Sequence, residues 1–394
     1  MRIKKVIRGL AVLSVVSLLV FLAGCGGGEK PQSSGGAQQK QEEKVIKMGV
    51  LAPLTGNIAT FGQEQKNAVE MRVKEINDAG GILGYKIKLF VEDDENKPEM
   101  AATVTQKLIN EGVSVIIGGM SSSSTMSAAP IAQRAKVLMI SPWSTNPKAT
   151  SAGNYIFRAC FSDDFQGAVQ ARYAVEKLGA KRIAQLLDVS NDGSKGQGEV
   201  FQKVAKELGA EMVAVESFSG GDKDFKAQLT KIKGQNPQLL DLPSYYAEDA
   251  LIAKQARELG LNIPLLGGDG NDSADLFTIG GSAIEGFVIT NHYSSDDPRP
   301  EVQEFRKKYE STYKAVPGAG AALSYDAVTL YKLAVEKAGV VENEKVRDAL
   351  EGLKDVNLIT APKFSFDANR NGVKGAAILE AKGGKWVFKD YVNP

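Results

Sequence analysis

Four consecutive serines, Ser121 to Ser124, follow the apolar run from Val113 to Ile117 after three residues. Such a run could be a flexible linker, a catalytic serine turn, a helix cap or a cradle for an anion. The stretch from Thr125 to Ala135 has helical spacing, so the serines would stand at a helix N-terminus, where unpaired amides and the helix dipole favour an anion. An N-cap role accounts for one serine and leaves the others unexplained. The pattern therefore favours an anion-binding wall.

The sequence lacks the signatures of common enzyme and cofactor sites. The segment "GMSSS" has no second glycine for a G-x-S-x-G nucleophile turn, no Walker sequence occurs, and "GSKGQG" does not fit G-x-G-x-x-G. His292 is the single histidine, which removes most histidine-based metal sites and Ser-His-Asp catalysis that needs a histidine on a site-facing loop. We predict a protein that is not an enzyme and has no cofactor and no metal.

Two segments partly match the spacing of calcium-binding loops. The first segment, residues 188–199, follows a predicted strand instead of a helix, and Lys195 stands where an apolar residue is usual. We therefore interpret the match as a coincidence in a loop between a strand and a helix. Its matching residues are Asp188, Ser190, Asp192, Gly193 and Glu199. The second, "DANRNG" at 367–372, has Ile378 at its twelfth place, which favours a tight turn between strands.

The first 24 residues have the pattern of a secretory signal peptide, because basic residues precede an apolar stretch from Leu10 to Leu22. That stretch is too short to span a membrane comfortably. It ends in "LAGC", which resembles the lipobox of bacterial lipoproteins and would make Cys25 the site of lipidation. An ordinary signal peptide followed by a cysteine is the alternative. Residues 25–44, which follow, are polar and predict a lipid-anchored, flexible tether.

Composition limits the remaining possibilities. Lys and Arg number 48 against 47 Asp and Glu, and no basic stripe occurs, so nucleic acid is not an expected partner. If Cys25 carries lipid, Cys160 has no partner for an intramolecular disulfide, and we interpret it as a small buried apolar residue. The part beyond the tether, about 350 residues, is long enough for two domains.

From Val45 onward, short apolar runs alternate with stretches of helical spacing. This pattern predicts an α/β fold with parallel, buried strands covered by helices on both faces. A second series of the same kind begins after Ala159, so we expect two doubly wound parallel-sheet lobes. Ligands of such sheets bind outside the carboxyl ends of the strands, and two lobes can place those ends on opposite sides of one cleft.

Five segments resemble, in the same order, the type 1 periplasmic binding proteins of the leucine/isoleucine/valine-binding group, which serve ABC transporters for branched-chain amino acids. These segments are "IKMGVLAPLTGNIATFGQEQKNAVEM", "INDAGGILGYKIKL", "SPWSTNPKAT", "LIAKQARELGLNIPLLGGDG" and "ALSYDAVTLYKLA". The resemblance implies a chain that crosses three times between lobes. It places residues 45–163 and 292–361 in lobe one, and residues 164–291 and 362–394 in lobe two.

The resemblance also implies a function and partners. It predicts a lipid-anchored, extracytoplasmic substrate-binding protein that captures an amino acid by lobe closure and presents it to ABC transporter permease subunits. We expect the chain to act as a monomer. A sensor of the same fold, reporting an amino acid, amide or small carboxylate to a membrane partner, is the alternative.

Backbone-recognition residues carry over from the family one by one. Ser122 corresponds to the residue that binds the ligand α-carboxylate, with Ser121 and Ser123 as neighbours. Thr145 corresponds to a threonine that touches both carboxylate and ammonium, and the main chain of Trp143 and Ser144 contributes beside it. Asp269 matches the acceptor of the α-ammonium. Thr145 and Asp269 could also be ordinary turn residues.

The predicted side-chain pocket departs from the family. Phe61, Tyr245 and Tyr325 match aromatic positions of the pocket or its rim. Three positions differ, so a branched-chain ligand does not follow from the resemblance: Gly193 stands where an aromatic residue is common, Trp143 replaces a small residue, and Asn271 stands where tryptophan is frequent. Asp241, inside the apolar stretch "LLDLP", could hold a polar or cationic ligand group or cap a turn.

Overall fold

A computed structural model describes residues 44–393. The predicted signal peptide, the predicted lipidation site Cys25 and nearly all of the predicted tether lie outside this range. Among the described residues, every helix is too short or too polar to cross a membrane.

The first part of the described chain forms a five-stranded parallel sheet with the spatial order β2-β1-β3-β4-β5. Its strands are β1 Val45–Ala52, β2 Lys86–Asp93, β3 Val115–Gly118, β4 Leu138–Ser141 and β5 Ile156–Arg158. The connecting helices are α1 Ala59–Asp78, α2 Pro98–Asn110 and α3 Ser122–Ala135. Both β3 and β4 are buried along their whole length, which agrees with their almost entirely apolar sequences, where Ser141 is the one polar residue.

The second series forms another parallel sheet, in which β10, β9, β8, β6 and β7 are successive neighbours. Its strands are β6 Arg182–Asp188, β7 Glu211–Phe218, β8 Leu239–Leu242, β9 Leu265–Gly267 and β10 Val288–Asn291. Its helices are α4 Asp163–Arg172, α5 Asp192–Glu207, α6 Lys226–Gly234, α7 Tyr246–Glu258 and α8 Ala274–Gly280.

The C-terminal part contributes to both halves of the molecule. Helices α9 Pro300–Tyr313, α10 Ala319–Ala338 and α11 Asn343–Glu351 come first, and Arg72 of α1 donates to the hydroxyl of Thr329 on α10. Strands β11 Val356–Leu358, β12 Ala361–Phe366 and β13 Gly372–Val373 form a small antiparallel sheet. Finally, β14 Ala376–Lys382 and β15 Lys385–Val392 extend the second sheet antiparallel to β10.

The chain therefore passes between the two sheets three times, after β5, after β10 and between β13 and β14. The first lobe is the part built on β1–β5, and the second lobe is the part built on β6–β10 with β14 and β15. This arrangement confirms the predicted α/β class with two doubly wound lobes and three crossings. The turn predicted for "DANRNG" is also present, because Asp367 accepts from the backbone N–H of Asn369 and Asn371 between β12 and β13.

Candidate functional site

A small cavity of about 30 Å³ lies between the lobes, at the carboxyl ends of their parallel strands. A cavity of this size has room for only a few water molecules. The first lobe lines it with Ile58, Phe61, Met120, Ser122, Trp143 and Thr145. The second lobe lines it with Asn191, Gly193, Ser194, Gln197, Ser244, Tyr245, Asp269 and Gly270. Both sheets thus deliver polar groups to one place, as parallel doubly wound sheets do.

The four serines have different roles: Ser121 caps a helix, Ser122 lines the cavity and Ser124 is buried. Helix α3 begins at Ser122, three residues earlier than its spacing predicts, and Ser121 is its N-cap, accepting from the Ser124 N–H at 3.4 Å. Ser122 lines the cavity, and its hydroxyl accepts from the backbone N–H of Asn146 at 3.1 Å. The run is buried or half-buried, so it is not an exposed linker. Its cavity-facing member sits in the first turn, where the helix dipole favours a negative charge.

Ser123 makes a contact between the lobes. Its hydroxyl donates to the Asp192 carboxylate at 3.0 Å and accepts from the Asp192 N–H at 3.1 Å. Asp192 is the first residue of α5 in the second lobe. Burial opposes its charge, but hydrogen bonds from Lys195 and Ser123 lower its pKa below the ordinary value. This pair therefore joins two helix N-termini across the cleft with a charged hydrogen bond.

A buried arginine holds the loop that carries Thr145. Arg158, at the end of β5, has no exposed surface, and its Nη1 atom donates to the carbonyl oxygens of Ser144, Thr145 and Asn146 at 3.0, 2.6 and 2.8 Å. The Ser144 hydroxyl lies 2.9 Å from the Ser121 carbonyl oxygen, behind the cavity wall. The loop is thus tied both to β5 and to the start of α3, while Thr145 faces the cavity.

Asp269 is the acidic residue of the second lobe at the cavity. Its carboxylate accepts hydrogen bonds from the Trp143 indole, from Gln166 Nε2 at 2.9 Å and from His292 Nε2 at 2.7 Å. Burial opposes the charge, but the hydrogen bond from His292, followed by those of Gln166 and Trp143, lowers the pKa of Asp269 below its usual value. The site therefore holds an ionised carboxylate at neutral pH.

His292 serves this carboxylate as a neutral donor. Burial lowers the pKa of His292 to about 4, even though the neighbouring Asp269 favours the charged imidazole. An ionised carboxylate can only accept, so Nε2 carries the hydrogen. The ring stacks on Phe161 with centroids 3.7 Å apart. His292 thus orients Asp269 without neutralising its charge.

Aromatic rings close the side of the cavity. Phe61 and Trp143 have ring centroids 4.6 Å apart, and Phe61 and Tyr245 have centroids 6.2 Å apart. The Tyr245 hydroxyl accepts from Asn191 Nδ2 at 3.3 Å, and burial raises the pKa of this phenol far above its usual value. Trp143 lines the cavity and is only 6 % exposed. Its large ring therefore fills space that a smaller residue would leave open to a ligand.

Four of the predicted site residues lie outside the cavity lining. Ser121 and Ser144 stand behind it. Asn271 is fully buried and donates to Asp249 at 2.8 Å, so its side chain turns toward α7. Tyr325 lies on the face of α10 toward α1, and its hydroxyl donates to Glu75 at 2.6 Å. Helix α10 does approach the site, but through its first turn, where Gly320 lies beside Trp143.

The cavity also contains residues that the sequence interpretation did not include. Ser194 lies with Gly193 in the first turn of α5, and Asn191 caps this helix by accepting from the N–H groups of Gly193 and Ser194. Their position directly after a strand was a usable signal. Met120 and Ser244 also follow strands, β3 and β8, and carried the same signal, whereas Gln197 lies inside α5, where the orientation of a side chain depends on packing.

Asp241 neither holds a ligand group at the cavity nor caps a turn. It is fully buried in β8 and accepts from Gln185 Nε2 at 2.7 Å, away from the cavity lining. Burial raises its pKa to about 7. Within residues 44–393, no cluster of three or more histidine, cysteine or acidic side chains suited to a metal ion occurs.

Comparison with known proteins agrees with this architecture. The model of the periplasmic binding protein family matches residues 45–385. A leucine-, isoleucine-, valine-, threonine- and alanine-binding protein of Pseudomonas aeruginosa is 32% identical over 321 residues, which are 80% of this chain and 85% of the relative.

Two solved structures have a TM-score of 0.84 and cover 89% of this chain. One is a leucine binding protein of Thermotoga maritima, 34% identical and 99% covered. The other is a branched-chain amino acid transporter substrate binding protein of Streptococcus pneumoniae in complex with isoleucine, 33% identical and 100% covered. By their names, all three relatives are amino-acid-binding proteins, and the third is the substrate-binding protein of a transporter. The chain belongs to the periplasmic binding protein family.

Proposed function

We propose that this protein is the extracytoplasmic substrate-binding component of an ABC importer and that it captures an amino acid by closing its two lobes. One observation carries the proposal. Ser122 and Thr145 of the first lobe face the ionised Asp269 of the second lobe across a single cavity. An α-amino acid carries a carboxylate and an ammonium at a fixed short separation. The first lobe offers hydroxyl groups to the carboxylate, and the second lobe offers a carboxylate to the ammonium.

The chemistry of each wall suits its part of the ligand. The first turn of α3 and the Ser122 hydroxyl present donors and a positive dipole end to a carboxylate. Asp269 offers the negative charge that an ammonium requires in a desolvated site. Since the two partners belong to different lobes, the ligand stabilises the closed arrangement over an open one, which is how a ligand shifts such an equilibrium.

The lobe boundaries are part of the proposal. Residues 45–163 with 292–361 would move against residues 164–291 with 362–394. The contacts of one segment suggest a refinement, because Arg370 donates to the carbonyl oxygens of Ile156 and Thr150 in the first lobe. Residues 362–373 would then move with the first lobe, and the third hinge strand would be at Lys374 and Gly375.

Attachment and partners complete the proposed role. The lipobox-like "LAGC" supports lipidation of Cys25, and several acyl chains at about 0.8 kcal/mol per buried methylene would hold the protein at a membrane surface. The tether would let a monomeric binding domain reach its permease. Family membership supports the extracytoplasmic location and the transport role, while the lipid anchor rests on the sequence pattern.

Calorimetry on the purified mature protein tests the proposed ligand class. Each amino acid should be paired with the same compound lacking its ammonium, such as alanine with propionate. We expect binding of an amino acid and much weaker binding of its deaminated partner. Binding confined to compounds without an ammonium would contradict the proposal and assign the protein to carboxylate transport.

A further inference from the structure

The acceptor positions of Asp269 are already filled by the protein itself. A carboxylate has about four lone-pair positions. One oxygen receives the Trp143 indole and His292 Nε2, and the other receives Gln166 Nε2 and the backbone N–H of Gly270 at 3.0 Å. An ammonium ligand therefore cannot bond to this carboxylate unless one of the four donors leaves.

Trp143 is the donor best placed to leave. Gln166 and His292 have no exposed surface, the His292 ring is stacked on Phe161, and the Gly270 N–H belongs to the main chain. Trp143 alone among the three donating side chains lines the cavity. It also belongs to the opposite lobe from Asp269, so its bond must break whenever the lobes separate.

The indole ring has a prepared place beside the cavity. Its ring packs on Phe61 at 4.6 Å. On its other side, a Cβ atom built on Gly320 would lie 2.8 Å from Trp143 Cζ3, so any larger residue there would collide with the ring. The ring thus occupies a slot between α1 and the start of α10. The space that remains, about 30 Å³, is too small for any amino acid, so the ring must shift before a ligand can enter.

We propose that Trp143 is an internal occupant of the amino-acid site and determines its specificity. Its indole N–H competes with the ligand ammonium for Asp269, and its ring, which stays in the cleft after it shifts off Asp269, reduces the volume left for the side chain of the ligand. The site accordingly selects glycine or alanine over leucine, isoleucine and valine. This inference rests on the proposed function, because it concerns which amino acid enters the same cavity.

Fluorescence tests the displacement directly, because the chain contains two tryptophans. In a Trp386→Phe variant, the emission belongs to Trp143 alone. Trp386 lies outside the cavity lining and packs on Phe277 with centroids 5.2 Å apart, a contact that phenylalanine can keep. Alanine should shift the Trp143 emission as it binds. Alanine binding measured by calorimetry with unchanged Trp143 emission would overturn the displacement.

Two substitutions separate the N–H group from the ring. Trp143→Phe removes the competing donor and keeps a ring, so alanine should bind at least about tenfold more tightly, the change expected from losing a competing hydrogen bond to a charged group. Trp143→Ala also removes the ring, so the leucine-to-alanine affinity ratio should rise by at least about tenfold. Trp386→Phe is the matched control and should change neither value.

The possible failures are distinguishable. If the wild-type protein binds leucine as tightly as alanine and neither Trp143 variant changes the two affinities, the specificity inference is wrong while the amino-acid function stands. If no variant binds any amino acid, the proposed function fails and this inference fails with it. Circular dichroism melting of each variant shows whether it is folded. If Trp143→Ala does not fold, the alanine affinity of Trp143→Phe still tests whether the indole N–H competes with the ligand.

Discussion

Arg158 Nη1 lies 2.6 Å from the carbonyl oxygen of Thr145 and bonds the carbonyls on both sides of it as well. Arg158 therefore shapes the cavity wall without lining it. Arg158→Lys keeps a positive charge but lacks the planar fork of donors. We expect weaker ligand binding and a free energy of unfolding lower by about 1.5–3 kcal/mol, the contribution of one hydrogen bond to a charged group, measured by calorimetry and denaturant titration. Arg182→Lys, at a more exposed site in the second lobe, is the control and should change the two quantities little.

Asp269→Asn should strongly weaken amino-acid binding. The substitution keeps the size of the side chain but removes the charge that an ammonium needs, and losing one partner of a buried charge pair costs about 2–5 kcal/mol, or roughly thirtyfold or more in affinity. Asp241→Asn makes the same chemical change at a buried site outside the cavity, and its affinity should equal that of the wild type. Equal affinity in the Asp269 variant would remove this residue from the ammonium site.

Asp241 should make the protein less stable as the pH rises from about 4 to about 7. Burial raises its folded pKa from 3.8 to about 7, so in this window the folded state binds more protons than the unfolded state, and stability falls with pH. Between pH 4 and 8, the free energy of unfolding of wild type relative to Asp241→Asn should fall by on the order of 3 kcal/mol. Denaturant titrations of both proteins at several pH values measure this difference, and parallel profiles would contradict the assignment.

Ser123→Ala should favour the open arrangement. It removes both hydrogen bonds between Ser123 and Asp192 across the cleft. The bond to the charged carboxylate contributes about 1.5–3 kcal/mol, and the bond from the neutral backbone N–H contributes about 0.5–1.5 kcal/mol. Ligand affinity should therefore fall, and small-angle scattering should show a larger mean radius of gyration. Ser127→Ala lies on the same helix, where its hydroxyl bonds only the Pro98 carbonyl within the first lobe, so affinity and radius should stay unchanged there.

Cys25→Ser should abolish incorporation of labelled lipid when the full chain is expressed in bacteria. The chain has a second cysteine that provides a control, since Cys160 is fully buried and burial raises its pKa to about 12. A Cys160→Ala variant should therefore be labelled as well as the wild type. Continued labelling of the Cys25 variant would show that the "LAGC" segment is part of an ordinary signal peptide.

The pattern of apolar runs followed by polar residues predicted which residues would line the cavity. Apolar runs such as Val113 to Ile117 and "LLGG" are buried strands, and the polar residues directly after them reach the carboxyl edge of a parallel sheet. Ser122, Thr145 and Asp269 therefore meet in the structure for a reason that the sequence contains. The same reasoning could not orient Tyr325, because a helical residue faces whichever element packs against it, and α10 turns this tyrosine toward Glu75.

By itself, the sequence determined the order of strands and helices and the residues that follow each strand, because both depend on chemistry within a few positions. Only the tertiary structure decided what surrounds Asp269. Gln166 is 103 positions away from it within the second lobe, and Trp143 is 126 positions away in the first lobe. The first donor reaches Asp269 only when the second lobe is assembled, and the second only when the two lobes pack against each other. The acceptor capacity that a buried carboxylate has left for a ligand depends on every donor around it, so this convergence decides how much of it Asp269 retains.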